Sequence, residues 1–150
     1  MIASIQNPTA DLQIDATADG VRRVSMWLEQ TGIGLGLPEA ELLRLDLCLN
    51  EALANVISHG NPAALAAPIL VRFELRRDGD ANVATVTVSD AGPAFDAASA
   101  PLKPRPTTLA EAEPGGLGLL MIRSFSDEQH YHYGEGRNHL GFSVRWIAPR

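Results

Sequence analysis

One spacing constrains this chain more than any other. Asn50-Glu51-Ala52-Leu53-Ala54-Asn55 is followed by Asp90-Ala91-Gly92-Pro93-Ala94-Phe95 and then by Gly115-Gly116-Leu117-Gly118-Leu119, all within 150 residues. The first segment sets a carboxylate and a carboxamide four residues apart. The second sets an acid and a glycine just after a strand. The third is a glycine turn running into an apolar helix. Each is weak evidence alone. In this order they describe a nucleotide site: a group to hold magnesium, a group to read a base, and a turn to hold phosphates.

The first segment lies on a long helix. Pro38 suits its first turn, and Gly60, Asn61 and Pro62 stop it after residue 58. Leu42, Leu45, Leu49, Ala52, Leu53, Val56 and Ile57 form one apolar face for packing on a sheet. Arg44, Cys48, Glu51, Asn55, Ser58 and His59 fall on another. Glu51 and Asn55 are therefore neighbours one turn apart. An amide oxygen is a hard, neutral ligand that suits magnesium, which takes its other ligands from phosphates and water. A carboxylate beside it can take a proton from an attacking hydroxyl or water. The same pair also occurs on ordinary solvated helix faces, so its meaning comes from the other two segments. Cys48 reads as a small packing residue, since no histidine is placed to activate it. His59 reads as a capping or partly exposed histidine. Asp46 sits at the edge of the apolar face with no role legible in the sequence.

The second segment follows a strand over 83–89. Val86 and Val88 face the helix layer, and Asp90 keeps that parity. A carboxylate between sheet and helices needs a donor. The amino group of adenine is one, and the backbone N–H groups of a turn are another. Gly92 leaves room for a flat ring and Phe95 offers it an apolar contact. Residues 96–114 carry Pro101, Pro104, Pro106 and Pro114 without periodicity, which reads as a lid or a disordered segment. Gly115, Gly116 and Gly118 then leave the approach open for an anion. Leu117 begins a helix over 117–125, whose N-terminal N–H groups favour phosphate. The turn lacks the Gly-Lys-Ser/Thr ending of a P-loop and does not follow a strand, so neither a Walker site nor a Rossmann fingerprint fits.

The remaining elements complete one α+β domain over 1–150. Residues 2–5 and 12–14 are strand candidates. Asp19 caps a helix that places Val21, Val24 and Leu28 on one face, and Gly32, Gly34 and Gly36 break it. Residues 69–76 alternate, Asp78-Gly79 signals a hairpin, and 129–133 and 140–146 form two strands around a turn at 134–138. The order predicts a two-layer sandwich: a mostly antiparallel sheet with helices on one face. No run approaches the roughly 18 apolar residues of a membrane span. The N-terminus lacks a signal core, which predicts a cytoplasmic protein. A single cysteine excludes an internal disulfide and a cysteine zinc site. The net charge of -6 argues against direct nucleic-acid binding.

In this order the three segments resemble the N, G1 and G2 boxes of the GHKL (Bergerat) ATP-binding fold of gyrase, histidine kinases and MutL. More closely, Asn-Glu-Ala-Leu-Ala-Asn-Val-Ile-Ser-His-Gly, Asp-Ala-Gly-Pro-Ala-Phe-Asp and Gly-Gly-Leu-Gly-Leu-Leu-Met-Ile are similar to the boxes of the small bacterial anti-sigma-factor serine/threonine kinases. The resemblance implies that Asn55 binds magnesium, Glu51 is the general base, and Asp90 accepts the adenine amino group with Gly92 at the ring. It implies that Gly115, Gly116 and Gly118 contact the phosphates of ATP through backbone N–H groups. Arg22 or Arg23, on the first helix, would help hold the partner protein. The implied activity is phosphorylation of a STAS-domain anti-anti-sigma protein, with a sigma factor as the competing partner and a homodimer as the assembly. The alternatives are a non-catalytic, nucleotide-dependent binding module and the ATP-binding half of a split histidine kinase.

Overall fold

The computed structural model describes residues 7–94 and 122–148. The predicted strand at 2–5, Phe95, the 96–114 segment, Gly115, Gly116, Leu117 and Gly118 lie outside the described residues.

The chain opens with β1 (Thr9–Ile14), then α1 (Ala18–Gly34), α2 (Glu39–His59) and a short α3 (Pro62–Ala66). It continues through β2 (Ile69–Asp78), β3 (Ala81–Asp90), β4 (Glu128–Gly134) and β5 (Arg137–Ile147). Among the described residues the strands form one five-stranded sheet in the order β1-β2-β3-β5-β4, with each of these pairings antiparallel. The predicted α+β sandwich is the fold observed. The predicted β2–β3 hairpin forms, but one residue later than the Asp78-Gly79 signal: Asp78 ends β2 and the turn is Gly79-Asp80, with Gly79 at φ 62°.

Local chemistry sets the helix ends. Thr17, not Asp19, caps α1: its Oγ1 accepts the Gly20 N–H at 3.0 Å, and Asp19 sits inside the first turn beside Arg22. A threonine two residues earlier reaches the free N–H groups as an aspartate would. α1 runs through Gly32 to Gly34 and stops in a Schellman motif. There Gly36 takes φ 81°, its N–H reaches Ile33 O at 3.1 Å, and Leu37 N–H reaches Gly32 O at 2.9 Å. Gly32 does not break the helix. It lets α2 come close, since a Cβ there would lie 2.6 Å from Leu42 Cδ1. Pro38 stands just before α2 as its N-cap. The stop signal at Gly60-Asn61-Pro62 also starts α3, where Asn61 Oδ1 caps Ala64 N–H at 2.8 Å. The sequence alone predicts only the stop.

The core lies between α1 and α2 and one face of the sheet. Leu28, Leu45, Leu49 and Leu53 from the helices meet Phe73, Val86, Phe142 and Val144 from the strands, all fully buried. Strand parity puts Ile69, Val71 and Phe73 of β2, Val86 and Val88 of β3, and Leu140, Phe142 and Val144 of β5 on this side. The opposite face is polar. Thr85 and Ser143 share a 2.8 Å hydrogen bond, and the His132 and His139 rings stack with centroids 4.3 Å apart. Cys48 belongs to the core, not to the polar side of α2: it is fully buried, with Sγ 3.9 Å from Ile122 O. α2 is covered over a wider arc than its apolar stripe because residues 122–125, which are helical, return against it. Arg44 fastens that return, donating to Phe125 O and to Asp127 Oδ1, each at 2.9 Å.

Candidate functional site

A cavity of about 230 Å³ opens where the end of α2 meets the ends of β3 and β5. Ala52, Val56, Val88 and Leu140 give it apolar walls, and Asn55, Asp90, Gly92 and Asn138 supply its polar groups. Its size and lining suit one flat heteroaromatic ring rather than a whole nucleotide, being just under the roughly 300–1,000 Å³ of typical ligand pockets.

Asn55 is buried, with 6% of its surface exposed. Its Nδ2 is the one buried side-chain polar atom without a hydrogen-bond partner among the described residues. The sequence placed Asn55 on a polar helix face. The structure turns that face into a cavity wall, because β3 and residues 92–94 rise over it. A buried amide left unpaired costs stability, and proteins retain such groups where a ligand or ion completes them. The unpaired atom is a donor, so it fits an acceptor such as a phosphate or ring nitrogen, while a hard cation such as magnesium could be taken only by Oδ1.

Glu51 sits one turn back on α2 and is half-buried. It is not part of the cavity wall among the described residues. Its charge does reach Cys48. Burial, the larger cause, pushes the Cys48 thiol from its ordinary 9.0 up to about 11, with Arg44 opposing and Glu51 adding to the rise. A thiol so disposed is no nucleophile, as the sequence predicted. Asp46 also gains an account: it accepts Ser25 Oγ at 2.5 Å and Asn50 Nδ2 at 3.2 Å, tying α1 to α2.

Asp90 keeps the inward parity predicted for it and lines the cavity. Its Oδ1 accepts the Gly92 N–H at 2.8 Å, so the turn bond weighed from sequence is present. That bond and one from Asn138 both go to Oδ1, and Oδ2 has no hydrogen-bond partner among the described residues. Gly92 is needed for this turn, since a Cβ there would lie 2.8 Å from Asp90 Oδ1. His59 and Gly60 close the α2 side of the cavity. Arg22 and Arg23 are both exposed on α1, with Arg22 paired to Asp19.

Sequence reasoning missed Asn138. It is 5% exposed, stands directly opposite Asp90 across the β3–β5 ladder, and bonds to Asp90 Oδ1 at 3.2 Å. The available signal was a carboxamide in register with Leu140, Phe142 and Val144, where strand parity predicts an inward side chain.

The profile of the histidine kinase-like ATPase domain family matches residues 14–144. The serine/threonine-protein kinase BtrW of Bordetella bronchiseptica is 31% identical over 140 residues, covering 91% of this chain and 93% of that protein. Among solved structures, the RsbU and RsbW domains of Rv1364c from Mycobacterium tuberculosis give a TM-score of 0.68 at 20% identity. That match spans 95% of this chain but only 33% of the mycobacterial one. The SiaB-SiaC complex of Pseudomonas aeruginosa gives a TM-score of 0.51 at 14% identity, over 91% of this chain and 89% of the other. The last two speak to the fold. With the family profile and the Bordetella relative they agree with the three boxes: the chain belongs to the histidine kinase-like ATPase domain family and is similar, over nearly its whole length, to a serine/threonine-protein kinase of that family.

Proposed function

We propose that this protein transfers the γ-phosphoryl group of ATP to a serine or threonine of a STAS-domain anti-anti-sigma protein, and holds a sigma factor when that partner is phosphorylated. The observation that carries the reading is the buried carboxamide of Asn55, its Nδ2 unpaired among the described residues, in the wall of a ring-sized cavity and one turn from a carboxylate. The identity with a named serine/threonine-protein kinase supports transfer to a hydroxyl. One structural neighbour shares its chain with an RsbU domain and the other was solved with SiaC, which supports a protein partner.

In this reading Asp90 accepts the adenine amino group through Oδ2, and Ala52, Val56, Val88 and Leu140 exclude water from the ring. Asn55 would hold magnesium, which when bound offsets the charge of the phosphates. Glu51 takes the proton of the attacking hydroxyl as its oxygen bonds to the γ-phosphorus. The bond from that phosphorus to the bridging oxygen breaks, and ADP departs with the electron pair. Backbone N–H groups of Gly115, Gly116 and Gly118 hold the phosphates, Phe95 contacts the ring, and the 96–114 segment closes over the nucleotide. Arg22 or Arg23 contacts the partner. A homodimer and a cytoplasmic location belong to the same reading.

A second reading has one observation in its favour: Glu51 lies outside the described cavity wall. It makes the protein a nucleotide-dependent docking module without transfer. One experiment separates the two. The protein is incubated with γ-labelled Mg-ATP and each STAS-domain protein of the same genome, with Glu51→Ala as control. Acid-stable label on one partner, lost in the control, establishes the kinase and its substrate. Clear ATP binding without label on any partner establishes the docking module.

A further inference from the structure

The Asp90 carboxylate is not held by its own turn alone. Asn138 Nδ2 lies 3.2 Å from Asp90 Oδ1, 3.2 Å from Gly92 O and 2.9 Å from Pro93 O. The other end of the same amide is also committed: Tyr131, on the edge strand β4, donates its hydroxyl to Asn138 Oδ1 at 2.5 Å. The three acceptors around Nδ2 require the NH₂ on that side, and the tyrosine hydroxyl then donates to the oxygen on the other, so both ends of the amide agree. The NH₂ must then point at Asp90 and at the first carbonyls after β3.

The consequence is chemical. A carboxylate with both oxygens open can accept two donors side by side, and the N1–H and exocyclic amino group of guanine form such a pair. Here Oδ1 already carries the Gly92 N–H and the Asn138 amide. One oxygen, Oδ2, is left. A single acceptor suits the lone amino group of adenine, and it cannot satisfy the paired donors of guanine.

We propose that Asn138, oriented by Tyr131, is a positioning residue for base selection: by occupying Asp90 Oδ1 it makes the site read a 6-amino purine and reject a 6-oxo purine. The proposal rests on the nucleotide reading given above. It also assigns a task to β4, none of whose residues lines the cavity.

The test compares affinities of ADP and GDP, each with magnesium, by titration calorimetry on the full chain. Wild type, Asn138→Ala and Tyr131→Phe are measured, with thermal melts to establish that each is folded. The expected result is a wild-type preference for ADP that falls about tenfold in Asn138→Ala, the size of one base-reading contact. Tyr131→Phe moves the ratio the same way by a smaller factor. The ratio is the readout because a merely structural defect weakens both ligands alike. Should Asn138→Ala not fold, Tyr131→Phe, which keeps the ring and removes one hydroxyl, decides. An unchanged ratio in the folded variants overturns the proposal and leaves the nucleotide reading standing. Wild-type protein that binds neither nucleotide overturns both.

Discussion

Replacing Asn55 by leucine separates what this residue does for folding from what it does for the ligand. The two side chains share a branched skeleton with the same number of heavy atoms. Asn55 is 6% exposed and its Nδ2 has no partner among the described residues. An unsatisfied buried polar group costs about 1–3 kcal/mol. Leucine removes that cost, adds buried apolar surface, and suits a helix better by a few tenths of a kcal/mol. Asn55→Leu should therefore stabilise the ligand-free protein by about 1–3 kcal/mol, worth about 2–4 °C in Tm per kcal/mol for a domain of this size. Urea unfolding without nucleotide measures it, with the m value unchanged. The same variant should lose the magnesium-dependent part of nucleotide stabilisation. In wild type, ligand at 100 times its Kd adds about 2.7 kcal/mol. The reasoning fails if Asn55→Leu is less stable than wild type in the absence of ligand, because the amide would then be satisfied and not waiting for a group. It fails equally if magnesium still tightens nucleotide binding in the variant. A gain in stability paired with a loss of ligand is the trade-off expected where a binding residue is strained for its task.

Other perturbations test the frame around the site. Cys48, with its thiol raised to about 11 by burial, should react with thiol reagents at pH 8 only through opening of the protein, at a rate that tracks unfolding. Because the unfolded thiol ionises first, Cys48 should also make stability fall as pH rises between 9.0 and about 11, and Cys48→Ala should flatten that limb of the urea-unfolding profile. Gly20→Ala should lose about 1–3 kcal/mol despite alanine's helix preference, since its Cβ would lie 2.1 Å from the Asp15 carbonyl oxygen; a stabilised variant by the same assay would contradict this. Arg44→Ala should cost about 1 kcal/mol, as the pair is partly exposed, and should speed amide exchange at Ser126, whose N–H is held by Ile122 O at 3.1 Å.

Much of this molecule was legible in its residue order because the relevant physics is local. The 3.6-residue period of α2, the alternation in β2 and β3, and the glycine turn between them depend on neighbours a few residues apart, and the observed elements follow them. Asp90 was assigned its inward direction by parity alone, and Gly92 its place beside it. Helix caps were less certain, since Thr17 and Asp19 both carry the right oxygen and only the observed backbone decides between them. Cys48 and Asn55 were placed on a polar face because a helical wheel shows a helix without its neighbours. Their burial comes from chain that returns from far away, Ile122 in one case and β3 with residues 92–94 in the other.

The sequence by itself determined the chemistry of the site: a carboxamide and a carboxylate one helical turn apart, an acid and a glycine at a strand end, and membership of a family that handles ATP. Those are spacings along a chain, set by helix pitch and strand pleat. Only the tertiary structure decided that β5 pairs with β3, which sets Asn138 opposite Asp90 and carries the Tyr131–Asn138 contact of the β4–β5 hairpin to the cavity. No local preference encodes a pairing between residues so distant in sequence. It arises because burying one continuous apolar face of the sheet selects a strand order, and that order then brings side chains together that the chain keeps far apart.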